Sequence, residues 1–196
     1  MFGTINLEPY FEKIQSDGWA LLPFDQEQCN QLHNEVLRRE TLNNLQQGAL
    51  ANSLTNHALR NDFISWINFD TQLVTEIKLI QALTDLQFAL KNYFRLSLDH
   101  FELHYAKYPI GHFYKKHSDQ KTNDNKRLFS FVIYLNTNWQ TQDGGELCGY
   151  KKNSTEEIFR IPPAIGTMIM FKSELEHEVF TTLRDRYSIA GWMRTA

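Results

Sequence analysis

Cysteine is scarce in this chain. There are two, Cys29 and Cys148, in 196 residues, and neither has a partner at C-x-x-C spacing. That argues against a disulfide framework and against a thiolate metal site. It fits a reducing cytoplasm, with both thiols either buried or simply on the surface. Long apolar runs are also missing. No stretch approaches the roughly 18 to 20 apolar residues of a membrane span. Glu8, Glu12 and Lys13 precede any apolar run, which argues against a secretory leader. Nor is there an excess of positive charge. Lys and Arg number 20 against 23 Asp and Glu, a net charge of -3, so nothing electrostatic points to nucleic acid. The pairs Lys115-Lys116 and Lys151-Lys152 read as solvated surface. No internal repeat, low-complexity linker or usable domain boundary interrupts the chain. The expectation is one domain over 1–196, long enough for a sizeable core.

What is present changes character near Asp99. Before it the pattern is mostly helical. Leu32, Val36 and Leu37 have helical spacing within Gln26–Glu40, and Asp25 stands where an N-cap belongs. Thr71–Leu96 carries Leu73, Ile77, Ile80, Leu83, Leu86, Leu90 and Phe94 on one stripe and predicts a long amphipathic helix. Trp19–Phe24 and Phe63–Ile67 read as short strands. Leu42–His57 is rich in Asn, Gln, Ser and Thr and reads as a long mobile loop. After Asp99 the period is two. Strands are expected over Phe101–Tyr108, Leu128–Leu135, Gly144–Tyr150, Glu157–Ile161, Gly166–Phe171, Glu176–Phe180 and Arg184–Met193, with Met168 and Met170 as core filler. Helices followed by many short strands predict an α+β, mainly β, fold: a barrel or sandwich with helices on one side.

The chemistry is carried by His117-Ser118-Asp119, then His177, then Arg186. Two histidines and one carboxylate are the ligand set of non-haem Fe(II) oxygenases, which leave positions open for a cosubstrate and O2. On a strand, residues i and i+2 share a face, so His117 and Asp119 can grip one ion together. His177 lies in a second strand-like stretch. The Arg186 guanidinium could hold a carboxylate through two parallel hydrogen bonds, as the distal carboxylate of 2-oxoglutarate requires. A H-x-D triplet alone is weak, and the specificity comes from this order along the chain. His33, His57, His100, His104 and His112 read as bystanders, since a lone histidine is more often a satisfied surface or core residue than a ligand.

Around these residues runs a longer series. Arg60-Asn61-Asp62 and Ile64-Ser65-Trp66-Ile67 come first, then Tyr108-Pro109 with Gly111 and Tyr114. Ile133-Tyr134-Leu135-Asn136 with Trp139, Gly144-Gly145-Glu146-Leu147, Pro163 with Gly166 and Phe171, and Arg186-Tyr187 to Trp192 complete it. The series resembles the prolyl 4-hydroxylase branch of the 2-oxoglutarate-dependent oxygenases, in particular the hypoxia-sensing prolyl hydroxylases and their bacterial homologues, over roughly Arg39 to Trp192.

The resemblance implies a double-stranded β-helix (jelly-roll, cupin-like) over 101–193, with residues 1–100 as helical support packed on one sheet. It implies Fe(II) on His117, Asp119 and His177, and the distal carboxylate of 2-oxoglutarate on Arg186. Tyr134 would be the second donor to that carboxylate, or else a buried strand tyrosine with another partner. Tyr108 would lie near the metal-chelating end of the cosubstrate. Trp192 would line the substrate side or fill the core. Arg60, Asp62 and Arg127 are expected on the substrate side as well. An Asp62–Arg127 ion pair would tether the region after the mobile loop, the alternative being two independent surface charges. Asp119 resembles the hydroxylases and not their halogenating relatives, which carry a small residue there.

The implied activity is hydroxylation of a prolyl residue in a protein, with O2 as second cosubstrate, release of succinate and CO2, and ascorbate as reductant. Bacterial relatives of this type modify a translation elongation factor. The rival readings are hydroxylation of a free amino acid or small metabolite, and a cupin-like metal or ligand sensor without turnover.

Overall fold

A computed structural model describes residues 5–48, 58–120 and 125–196. Among the described residues there are three α-helices, α1 (Glu8–Asp17), α2 (Gln26–Thr41) and α3 (Val74–Phe94). The strands are β1 (Trp19–Pro23), β2 (Gln46–Gln47), β3 (Phe63–Trp66), β4 (His100–Tyr108), β5 (Tyr114–His117), β6 (Arg127–Tyr134), β7 (Leu147–Tyr150), β8 (Glu157–Ile161), β9 (Thr167–Lys172), β10 (Glu176–Val179) and β11 (Arg186–Arg194). They form a seven-stranded sheet in the order β1-β9-β6-β11-β4-β3-β2 and a four-stranded sheet in the order β5-β10-β7-β8. All the strand pairings are antiparallel. This is the double-stranded β-helix that the resemblance implies, with its strands where the period changes to two.

The two-residue period explains why one sheet serves two cores. Phe129, Phe131 and Ile133 of β6 and Met168 and Met170 of β9 face the helices, against Leu32 and Val36 of α2 and Leu79, Leu83, Leu86 and Leu90 of α3. The alternate residues, among them Tyr134, Ile169 and Phe171, face the smaller sheet and meet Leu147, Phe159 and Val179. That second interface holds the cavity described below. Among the described residues no helix is long and apolar enough to cross a membrane.

Several boundaries differ from expectation. α1 carried no sequence expectation; it is only ten residues long and is ended by Gly18 at φ 84°. Asp25 does cap α2, accepting from the Gln28 amide at 2.7 Å. α3 starts at Val74 and not Thr71, because the Thr71 hydroxyl accepts from the Leu73 amide and donates to Glu76 instead of joining the helix. Its buried face runs through Leu79, Leu83, Leu86 and Leu90, while Ile77 of the expected stripe is exposed. In the expected 42–57 loop, Gln46–Gln47 pairs with β3, and residues 49–57 lie outside the described residues.

A buried ionic network fixes β3 to the helices. Glu76 of α3 is 0% exposed. It accepts hydrogen bonds from Arg39 Nη2 at 2.7 Å, Thr71 Oγ1 at 2.6 Å and Tyr105 at 3.1 Å. Arg39 Nη1 reaches on to the Ser65 hydroxyl at 2.8 Å and the Trp66 carbonyl at 3.1 Å. Removing the arginine leaves Glu76 desolvated without its cation. Arg39→Ala is expected to cost about 3 kcal/mol in urea unfolding. A loss under about 1 kcal/mol would mean that water replaces the guanidinium.

Candidate active site

The His117–Asp119–His177 cluster is built by a strand pairing. His117 ends β5 and lies opposite His177 on β10. Asp119 is not on the strand as expected; it sits in the bend just after it. The turn of the chain, more than strand alternation, brings its carboxylate inward. Asp119 Oδ1 lies 3.8 Å from His117 Nε2 and Oδ2 lies 3.5 Å from His177 Nε2. One donor atom from each residue falls within 4.8 Å of the others. Ligands on bonds of about 2.1 Å to one ion stand about 3 to 4 Å apart, so the three groups suit a single divalent cation.

Each imidazole is oriented from behind. His117 Nδ1 is 2.7 Å from the Lys115 carbonyl and His177 Nδ1 is 3.0 Å from the Leu175 carbonyl. A carbonyl only accepts, so each Nδ1 carries the proton and each Nε2 offers its lone pair to the cluster. Tyr114 stacks on His117 with ring centroids 3.6 Å apart. Burial and the neighbouring His177 hold the His117 imidazole down to about 3, so the ring is neutral. Burial would raise the Asp119 carboxyl, but His177, His117 and hydrogen bonds from Ser130 and Trp192 outweigh it and hold the group below its ordinary value. Ser130 Oγ donates to Asp119 Oδ2 at 2.6 Å and lies 2.9 Å from Ser173 Oγ.

The cluster opens into a cavity of about 490 Å³ between the two sheets. Arg186 lies on its wall and is 1% exposed. Arg186 Nε donates to the Gly145 carbonyl at 2.9 Å and Nη1 to the Ser188 hydroxyl at 3.2 Å. Nη2 has no partner among the described residues, and neither has the hydroxyl of Tyr134, which is also buried. The guanidinium lies 5.5 Å from the Tyr134 ring centroid and 4.9 Å from that of Tyr108. Tyr108 is the register partner of Arg186 across β4 and β11. No carboxylate of the protein pairs with Arg186 among the described residues. A desolvated cation with a free donor costs several kcal/mol unless an anion joins it, so this end of the cavity suits a carboxylate ligand.

Comparison with known proteins agrees with this geometry. A family model described as the 2OG-Fe(II) oxygenase superfamily matches residues 103–194. A prolyl-4-hydroxylase from Pseudomonas putida is 30% identical, with a TM-score of 0.88 over 96% of this chain and 98% of that one. The chain belongs to the 2-oxoglutarate- and Fe(II)-dependent oxygenases. A Trichoplax adhaerens prolyl hydroxylase, solved with a hypoxia-inducible-factor peptide fragment, shares the fold at 24% identity and a TM-score of 0.84, covering 94% and 87%. The α-ketoglutarate-dependent epimerase SnoN of nogalamycin biosynthesis shares it at 13% identity and a TM-score of 0.68, covering 96% and 83%. The protein is thus a 2-oxoglutarate-dependent oxygenase with prolyl 4-hydroxylase-like architecture. The family's requirements, Fe(II), 2-oxoglutarate and O2, fit the donor cluster and the buried guanidinium.

On the mouth side of the oxygenase cavity, the expected Asp62–Arg127 pair does not form. Asp62 is fully buried and is held by Arg60, with Nη2 to Oδ2 at 2.9 Å. Arg127 bonds Glu102 at 2.6 Å and lies over the Trp192 ring at 3.6 Å. The reason is sheet order. β11 and β4 separate β6 from β3, which puts the two strands about 14 Å apart at the usual spacing of about 4.8 Å. Arg60 also lies over the Tyr114 ring at 4.8 Å, which links Asp62 to the face behind His117. Double-mutant cycles should show coupling of about 1–3 kcal/mol for Arg60 with Asp62, and additivity within about 0.5 kcal/mol for Asp62 with Arg127. The opposite pattern in urea unfolding would restore the pair expected from sequence.

Sequence reading missed Ser130, Ser173, Ser188 and Gly145, which hold Asp119 and Arg186 in place. Ser130 and Ser188 stand at site-facing positions of β6 and β11, whereas Ser173 lies in the turn after β9 and Gly145 just before β7. His104, set aside as a bystander, lines the cavity beside Trp66 and Trp192.

Proposed function

We propose that this oxygenase hydroxylates a prolyl residue within a protein or peptide segment, converting 2-oxoglutarate and O2 to succinate and CO2. The observation that carries the reading is the buried, carboxylate-free Arg186 with an unsatisfied Nη2, in a cavity that also presents three metal-ligand side chains. A sensor has no need for a buried guanidinium left free to grip a carboxylate in the same cavity as the metal-ligand side chains.

In this reading His117, Asp119 and His177 hold Fe(II). Arg186 and Tyr134 take the distal carboxylate, and Tyr108 shapes the wall beside it. The metal, when bound with 2-oxoglutarate and O2, supplies the oxidising power that breaks a C–H bond. The residues of the chain do the rest. The Lys115 and Leu175 carbonyls fix the imidazoles, Ser130 fixes the carboxylate, and the aromatic wall keeps water from the reacting carbon. Arg60, Arg127 and Trp192 form the substrate side, while Asp62, expected there from the sequence, is buried behind Arg60 and holds it instead.

The prolyl target is supported by likeness to the Pseudomonas putida prolyl-4-hydroxylase at 30% identity. A peptide in place of a small metabolite is supported by the open mouth, where Trp66 is 48% exposed. A translation factor is the first protein to test, with ascorbate as reductant, in the cytoplasm, where buried free thiols such as Cys29 and Cys148 persist.

The test is succinate release with Fe(II) present, coupled to mass spectrometry of host proteins from cells with and without the chain. A proline-containing peptide that gains one oxygen atom only when the chain is present is the expected result. Succinate release with no such peptide, but with an oxidised free amino acid, would replace the protein substrate by a metabolite.

A further inference from the structure

Two residues that line the cavity each carry a buried side-chain nitrogen with no hydrogen-bonding partner among the described residues. One is Arg186 Nη2, and the other is His104 Nδ1. The first faces the end where the cosubstrate carboxylate is expected. The second lies at the other end. Along β4 and β11 the cavity-facing levels run Tyr108/Arg186, Ala106/Ser188, His104/Ala190 and Glu102/Trp192. His104 is therefore four residues from Tyr108, about 13 Å along the strand, toward the mouth.

Its side chain is buried between two tryptophans. His104 is 2% exposed. Its ring centroid lies 5.0 Å from Trp66 and 5.4 Å from Trp192. Charged and polar neighbours on this wall are engaged with one another: Arg127 with Glu102, Arg60 with Asp62 and Ser130 with Asp119. A buried polar atom without a partner is unfavourable, and native proteins keep few of them without a use. Between two tryptophans, a buried imidazole is well placed to meet a flat amide.

We propose that His104 is a specificity-determining residue that hydrogen-bonds a main-chain amide of the bound peptide, between the side walls Trp66 and Trp192. The proposal rests on the prolyl-peptide reading above. Burial holds the imidazole down to about 4, so it is neutral, with one donor and one acceptor, and matches an amide's carbonyl and N–H. An apolar residue here would serve a small aliphatic substrate equally well; the histidine makes the wall selective for a chain.

The full-length, Fe(II)-loaded protein is assayed against a pool of N-acetylated, C-amidated prolyl heptapeptides. In His104→Leu, the Michaelis constant for the best peptide should rise about tenfold, the size of one lost hydrogen bond. The constant for 2-oxoglutarate and the peptide-free release of succinate should stay within about twofold. His104→Gln, which keeps a donor and an acceptor, should recover most of the loss. If the leucine variant does not fold, His104→Met carries the same comparison. An unchanged peptide constant overturns the proposal alone, and so does an equal rise for 2-oxoglutarate, which would make His104 a support of the metal end. Wild-type protein that turns over no peptide overturns the prolyl-peptide reading and this proposal with it.

Discussion

Asp119→Ala, His117→Ala and His177→Ala are each expected to abolish 2-oxoglutarate turnover while the protein stays folded. The three donors lie within 4.8 Å of one another, and a two-donor remnant leaves a divalent ion without its anionic or its imidazole grip. Loss of a group behind a ligand typically costs roughly 10 to 100-fold in metal affinity. Ser130→Ala, which removes the 2.6 Å bond to Asp119, belongs in that range, and Asp119→Ala should exceed it. The fold should survive because the cluster is not a structural keystone. Ser130 keeps Ser173 at 2.9 Å when Asp119 is gone, and the imidazoles keep their bonds to the Lys115 and Leu175 carbonyls. The measurements are succinate release at limiting iron, Mn(II) affinity by calorimetry, and thermal melting. Full turnover in any one variant, at limiting iron, removes that residue from the ligand set.

The sequence made the scaffold legible because the sheet has a strict period. Once β6 and β9 alternate, the residues facing each core follow, and Met168 and Met170 fall where alternation puts them. The clustering of His117, Asp119 and His177 was legible because these residue types are rare in that order. What was not legible depends on strand order and register. Asp62 and Arg127 stand near the same motifs in sequence, yet two strands lie between their elements, and each finds a closer partner. His104 looked like a stray histidine. Only its pairing with Trp66 on β3 and Ala190 on β11 shows that it faces the cavity. The Asp119 bend escaped for another reason: strand periodicity puts i and i+2 on one face, and that reasoning gives the right neighbour even where the strand has already ended. Gly145 escaped because a backbone carbonyl carries no side-chain signature. Its φ of 69° lets the chain turn, and an added Cβ would come within 3.2 Å of Arg186 Cδ.

Arg186→Lys is expected to raise the Michaelis constant for 2-oxoglutarate by about 10 to 100-fold and to leave metal affinity within about twofold. The structure explains both halves. Arg186 uses Nε on the Gly145 carbonyl and Nη1 on Ser188, and presents Nη2 unpaired, so the planar fork is divided between scaffold and ligand. Lysine keeps the charge but has one ammonium, which cannot hold Gly145 and a carboxylate in fixed directions together. Charged hydrogen bonds of this kind contribute about 1.5–3 kcal/mol each, and 1.4 kcal/mol is a factor of about ten. The candidate metal ligands stand on β5, β10 and the bend after β5, elements that do not include β11, so they should not move. Tyr134→Phe supplies the second arm. Its hydroxyl lacks a partner beside the guanidinium, so the loss should be smaller than for the lysine variant and confined to 2-oxoglutarate. Isotherms for 2-oxoglutarate on the Mn(II)-loaded protein, together with steady-state constants, measure the effect without depending on the peptide. An unchanged constant in Arg186→Lys would show that another cation, such as Arg60 on the same cavity wall, holds the carboxylate.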